Sequence, residues 1–93
     1  MTQPFDPRTF IDAARREYPD QPWIAEALGQ CSAAFSASKC IVHFVDPARP
    51  NKPGSAWQIR ENIVLESTAD GAVVLDILED GRVGAIEYLD RLT

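Results

Sequence analysis

The chain reads as α+β, with two N-terminal helices packed on one face of an antiparallel β-sheet of about four strands. Three observations predict this. Apolar residues recur at helical spacing up to about residue 37 and then give way to β-branched runs. Two helix starts near the N-terminus are marked by proline. Two Asp-Gly pairs separate the last three β-rich runs. A chain of 93 residues buries only roughly 60–68% of its unfolded surface and cannot divide that core in two. One domain, 1–93, is therefore expected, helical over 7–37 and a β-meander over 40–89 with a loop at 46–56. Its apolar fraction of 45%, charged fraction of 25% and mean hydropathy of −0.19 are those of an ordinary globular chain.

Asp6-Pro7 starts the first helix, with Asp as N-cap and Pro at the first helical position, where its missing N–H costs nothing. Phe10, Ile11, Ala14 and Tyr18 follow at helical spacing until Pro19 forbids α geometry at its predecessor, which gives a helix over roughly 7–18. Asp20 and Pro22 repeat the start signal. Ile24, Leu28, Cys31 and Phe35 then form a stripe that predicts a second helix over roughly 21–37, small enough at Gly29, Ser32, Ala33 and Ser36 to lie close against a sheet.

Cys40-Ile-Val-His-Phe-Val is a continuous apolar run and predicts a strand buried on both faces or a central one. Residues 46–56 hold three prolines and a glycine and read as a loop, with Arg49 and Lys52 as a locally basic protrusion. The runs after it form hairpins about Asp70-Gly71 and Asp80-Gly81. A two-residue type I′ turn at Asp80-Gly81 pairs Leu78 with Val83, Asp76 with Ala85 and Val74 with Glu87. A three-residue loop at 69–71, with Gly71 left-handed, sets Ile63 and Leu65 beside Leu75 and Ile77. Val73, Leu75, Ile77, Ile86 and Tyr88 then face the core, and Val64, Glu66, Val74, Asp76, Leu78, Val83, Ala85, Glu87 and Leu89 face the other way. An outer face this apolar needs a cover, and its three carboxylates, Glu66, Asp76 and Glu87, suit a basic partner.

Charge sharpens that reading. Fourteen acidic residues against nine basic ones give −5, and the excess is local: residues 1–60 carry net +1 and residues 61–93 net −6. Such a field opposes nucleic acid and anionic membrane surfaces and favours a cationic protein. The N-terminus has neither a basic n-region nor an apolar h-region, and no apolar run approaches the ~18 residues of a membrane span, so a cytoplasmic location is expected, with Cys31 and Cys40 as free thiols. Two cysteines and the lone His43 are too few for a structural zinc site, and no glycine pattern matches a phosphate-binding loop. His43 has no nucleophile placed beside it by motif. Glu66 and Glu87 flank Val74 at roughly 9–10 Å, near the spacing of an inverting glycosidase pair, but a flat sheet face offers no cleft. No catalytic residue, metal or cofactor is expected.

Val73–Leu89 resembles the closing hairpin of a family of small bacterial proteins of unknown function, in which a strand ending in Asp leads through a D-G-R turn to a V-G-I-E-x-L strand; here Ala85 stands between Gly84 and Ile86. That likeness implies a hairpin and no activity. In overall character, small, acidic, cytoplasmic and α+β, the chain also resembles bacterial toxin-immunity proteins of the contact-dependent growth inhibition type. The resemblance implies a non-enzymatic protein that neutralises a cognate basic toxin, such as a nuclease, by occluding it through protein–protein contacts. The expected contact residues are Glu66, Asp76, Glu87, Val74, Leu78, Val83, Arg49 and Lys52. The alternative is a homodimeric structural or accessory domain that pairs through the apolar outer face or an edge strand.

Overall fold

A computed structural model of the chain describes residues 3–45 and 59–91. The fold is α+β. In chain order it runs β1 (Gln3–Pro4), α1 (Arg8–Glu17), α2 (Pro22–Gly29), β2 (Ala33–Ala34), β3 (Ser36–Ala37), β4 (Ile41–His43), β5 (Ile59–Thr68), β6 (Gly71–Leu78) and β7 (Val83–Tyr88), and closes on a 3₁₀ turn at Leu89–Arg91. β1 and β2 pair as a small ribbon, and the other five strands form one antiparallel sheet in the order β3-β4-β7-β6-β5. The meander expected of the last three strands is present.

Pro22 opens α2 as expected, whereas α1 starts one residue later than expected, with Pro7 and not Asp6 at the N-cap. Pro7 precedes α1, and the Asp6 carboxylate accepts the Arg8 N–H at 3.1 Å while the Arg8 guanidinium grips it. Arg15 and Arg16 occupy the last turn of α1, where the partial negative charge of the helix end favours cations. The second helix is shorter than its stripe predicts. It stops at Gly29, and Ala33–Ala34 and Ser36–Ala37 are short strands about a bend at Phe35 instead of helix. The reason is competition: Gly29 and the serines offer weak helix propensity, while β1 and β4 offer ladder partners to Ala33–Ala34 and Ser36–Ala37. Cys31 and Ala34 stay in the core, but Phe35, the last residue of the stripe, is 39% exposed.

The helices cover one face of the sheet. Phe10, Ala13, Ala14, Ile24 and Leu28 pack on Val42, Ile63, Leu65, Val73, Leu75, Ile77, Val83, Ile86 and Tyr88 in one cluster. Each large apolar side chain buried there contributes roughly 1.5–3 kcal/mol of transfer free energy. Phe5 extends the cluster, stacked on Phe10 at 5.8 Å and edge-on to Phe44 at 4.9 Å.

Near each turn the pairing departs from expectation and a bulge follows: β5–β6 stays shifted, whereas β6–β7 regains the expected pairs. At the β5–β6 turn Thr68 pairs with Gly71, so only two residues form the loop, and a bulge between Leu65 and Thr68 restores alternation. Ile63 and Leu65 therefore face the core as expected, but they oppose Leu75 and Val73, two residues away from the expected partners. At the β6–β7 turn the type I′ geometry is absent. It needs positive φ at both central residues, and among the described residues only Gly71 and Gly81 have it. Instead the Gly81 N–H donates to the Leu78 carbonyl at 2.9 Å and the Leu78 N–H to the Arg82 carbonyl at 2.8 Å, a three-residue loop with Gly81 at φ +88°. Val83 then pairs with Ile77, and a shift at Gly84 restores Asp76 to Ala85 and Val74 to Glu87. Val83 thus belongs to the core face, not the outer one.

β5 is an edge strand, and α1 lies along it. The Glu17 carboxylate accepts the Glu66 N–H at 2.7 Å and the Ser67 N–H at 3.1 Å, the two amides freed by the bulge. The Arg16 guanidinium donates to the Ser67 carbonyl at 2.7 Å, the Tyr18 hydroxyl to the Val64 carbonyl at 2.8 Å, and the Ala69 N–H to Thr9 Oγ1 at 3.2 Å. Side chains of one helix occupy the backbone groups that would otherwise template another strand.

Candidate functional site

The outer face of the sheet is built from two cross-strand rows. One runs Ile41–Glu87–Val74–Val64 across β4, β7, β6 and β5, and the next runs His43–Ala85–Asp76–Asn62 across the same strands. Alternation puts them there: every residue in the two rows shares parity with its neighbours two positions along its own strand.

The predicted contact residues divide. Glu66 is exposed, and it stands at the bulge on the sheet edge, apart from the other two carboxylates. Val74 and Glu87 are half-buried on the outer face as expected. Asp76 is on that face but only 8% exposed. Leu78 is 2% exposed and lies against Gly84, whose absent side chain leaves room for it. Val83 is in the core by the register described above. Neither Leu78 nor Val83 offers surface to a partner. Arg49 and Lys52 lie outside the described residues.

Asn62, Ile41 and His43 belong to the outer face and were missed by the sequence reading. Asn62 shares parity with Val64, so strand alternation alone marks it. Ile41 and His43 become outer-face residues only once β4 is known to pair with β7.

Asp76 and Glu87 meet diagonally across β6 and β7, and Asn62 Nδ2 donates to Asp76 Oδ1 at 2.5 Å from the other side. Burial pushes the Asp76 carboxyl up to about 7, with the Glu87 charge and a hydrogen bond to Glu87 acting the same way and the Asn62 bond acting against them. One carboxyl of the pair therefore keeps its proton in conditions where an exposed aspartate has lost it. In contrast, the Glu17 carboxyl at the sheet edge is held below its ordinary range. Burial raises it, but the amides of Glu66 and Ser67, the Ser67 hydroxyl and the Arg16 charge together prevail.

Two of the grooves among the described residues lie elsewhere. One, of about 440 Å³, runs between α1 and α2 beside Ile11, Tyr18, Ala25 and Glu26. The other, of about 480 Å³, lies between α2 and the β6–β7 turn, where Arg60 stands 5.5 Å over the Trp23 ring and Arg82 is paired with Asp80. Neither includes a residue of the two outer-face rows. Among the described residues no three His, Cys, Asp or Glu side chains are grouped to hold a metal ion, and no helix is long and apolar enough to cross a membrane. Cys31 is buried and Cys40 half-buried, both as free thiols, and burial pushes the Cys31 thiol up to about 12. The chain matches no protein-family model, no curated protein and no solved structure.

Proposed function

We propose that this chain is a non-enzymatic protein-binding protein that works in the cytoplasm as an immunity protein, neutralising a basic toxin domain by occlusion. The single observation that carries the reading is the row Ile41–Glu87–Val74–Val64, an apolar strip with a carboxylate in it, crossing four strands and ending at Val64, which is 39% exposed. Glu61 and Glu66 are exposed on the same terminal strand, and the net −6 of residues 61–93 places the strip in a negative field. An apolar centre with acidic surroundings is the chemistry that meets Arg and Lys on a basic protein while excluding water. A nuclease that binds phosphate backbones carries such a surface, and charge complementarity would raise both its association rate and its specificity. The contact set is accordingly Ile41, Val64, Glu66, Val74 and Glu87, without Leu78 and Val83.

The homodimer alternative has two routes, the outer face and an edge strand, and the five-stranded sheet has two edges, β5 and β3. On β5 the backbone from Val64 to Ser67 is engaged by Arg16, Glu17 and Tyr18, so self-pairing over that stretch would first have to displace them. Face-to-face pairing through Val64 is the form of that alternative tested below.

The experiment is capture by the tagged protein from lysate of its source cell, at low and then moderate salt, followed by affinity measurement with the retained protein. A stoichiometric basic protein released by salt supports the reading, and Val64→Lys with Glu66→Lys should then weaken binding about tenfold or more, or about 1.4 kcal/mol. Both side chains are exposed, so the fold should survive the change. Unchanged affinity at low salt sinks the proposed interface. Retention of this chain alone, with a dimer seen by light scattering, transfers the outer face to the homodimer reading.

A further inference from the structure

Asp76 lies on β6, next to the middle strand of the sheet, nearly enclosed at 8% exposed, and it faces a second carboxyl. Two like charges held this close and this far from water do not both ionise readily, because little solvent reaches Asp76 to offset their repulsion. The groups around Asp76 can be named strand by strand. From β5 comes Asn62, a donor; from β7 come Ala85, directly opposite, and Glu87, diagonal; from β4, one strand beyond, comes His43 on the same row. Among the described residues the remaining acid on this face, Glu66, is at the edge bulge. Among the described residues no Lys or Arg forms an ion pair with Asp76 or Glu87; the arginines so paired bind Asp6, Glu61, Asp80 and Asp70.

We propose that Asp76 and Glu87 share one proton in the folded protein and form, with Asn62, a proton-dependent latch that bonds β5, β6 and β7 side chain to side chain across the outer face. In the closed latch Asn62 Nδ2 donates to Asp76 Oδ1, and the Asp76 hydroxyl donates to the Glu87 carboxylate. Loss of the proton to solvent leaves two carboxylates and no donor between them, so the β6–β7 link becomes repulsive while the Asn62 bond persists. The latch stands whether or not the outer face binds a toxin, since it concerns the free chain.

The sign of its effect follows from linkage. The folded chain retains a proton that the unfolded chain releases above the ordinary aspartate value of 3.8. Stability therefore falls as pH rises from about 4 to about 7 and levels off above that, by up to about tenfold in the folding equilibrium constant per pH unit in that window. The test is carbon-detected NMR titration of the side-chain carboxyls in the intact chain, together with chemical denaturation from pH 5 to pH 8. The expected result is one carboxyl of the Asp76–Glu87 pair titrating near 7, and a denaturation midpoint that drops with rising pH in the wild type and much less in Asp76→Asn. A His43→Gln control should keep the wild-type slope. Both carboxyls titrating below pH 5 would overturn the latch, and the NMR result holds even if Asp76→Asn does not fold. An unchanged slope in a folded Asp76→Asn, or a slope abolished by His43→Gln, would overturn it equally.

Discussion

The β5–β6 and β6–β7 hairpins solve the same problem by different means. In each, a glycine at positive φ closes the turn, Gly71 at +83° and Gly81 at +88°, and a bulge then restores the alternation that the turn disturbs. The first bulge is on the edge strand, where its freed amides point at α1 and the Glu17 carboxylate receives them. The second is on β7, with a neighbouring strand on either side, and a shape accommodates it: Gly84 has no Cβ, and Leu78 fills the space. An irregularity at a sheet edge can be offset by hydrogen bonds from outside the sheet. Inside the sheet, with both ladders occupied, it depends on a missing side chain.

The comparison breaks first at Gly84. A Cβ there would stand 2.6 Å from Leu78 Cδ2, and Leu78 is buried, so Gly84→Val should destabilise by about 1–3 kcal/mol in a urea titration. No loss would mean that Leu78 has room to move and that shape does not limit the interior bulge. The two turn glycines should then rank. Gly71→Ala and Gly81→Ala each force a side chain into the left-handed region at about 1–2 kcal/mol, and Gly71→Ala should be the worse of the two. Its Cβ also runs into the Asp90 carboxylate, whereas the Cβ at Gly81 meets open space. Thermal melts of the pair decide it, and the reverse ranking would show that Asp90 moves aside freely.

The smallest expected effect is at Glu17. Removing the acceptor by Glu17→Ala should cost about 1 kcal/mol, less than a buried loss, because water can reach the edge amides. Because the Glu17 carboxyl is held below its ordinary value of 4.5 when folded, its support is present above that value and is lost as pH falls through the lower folded one. Glu17→Gln should flatten that acid-side loss, measured by denaturation between pH 3 and pH 6. The two hairpins then respond to acid in opposite senses: protonation weakens the hold on the edge bulge and closes the Asp76–Glu87 latch.

Much of the architecture could be read from residues alone. Pro7, Pro19 and Pro22 bound the helices, and the alternation of Val73, Leu75, Ile77, Ile86 and Tyr88 identifies the covered face. Of the outer face, Val74, Asp76 and Glu87 were legible by the same parity. Val83 was misplaced because the extra residue at Gly84 looks, in sequence, like any glycine in a strand. The end of α2 was misread because the stripe Ile24–Leu28–Cys31–Phe35 has helical spacing whether or not the chain is helical beyond Gly29. The Asp76–Glu87 meeting was visible only in part, since the expected pairing put both on one face without showing how deeply Asp76 is enclosed.

By itself the sequence determined the two helices, the strand near Ile41–His43 and the last three strands, the order of these elements, roughly where the helices start, and most of the strand residues that turn inward. Those follow from local rules: the 2.0 and 3.6 residue periods, the fixed φ of proline and the concentration of acids in the last third. Only the tertiary structure decided where α2 stops, which turn geometry closes each hairpin, that α1 engages the β5 edge from Val64 to Ser67 and that Asp76 is enclosed beside Glu87. Each of those depends on partners supplied from elsewhere in the chain, the ladder bonds of β1 and β4, the carboxylate of Glu17 and the shape of Leu78, and no local pattern encodes the presence of a distant partner.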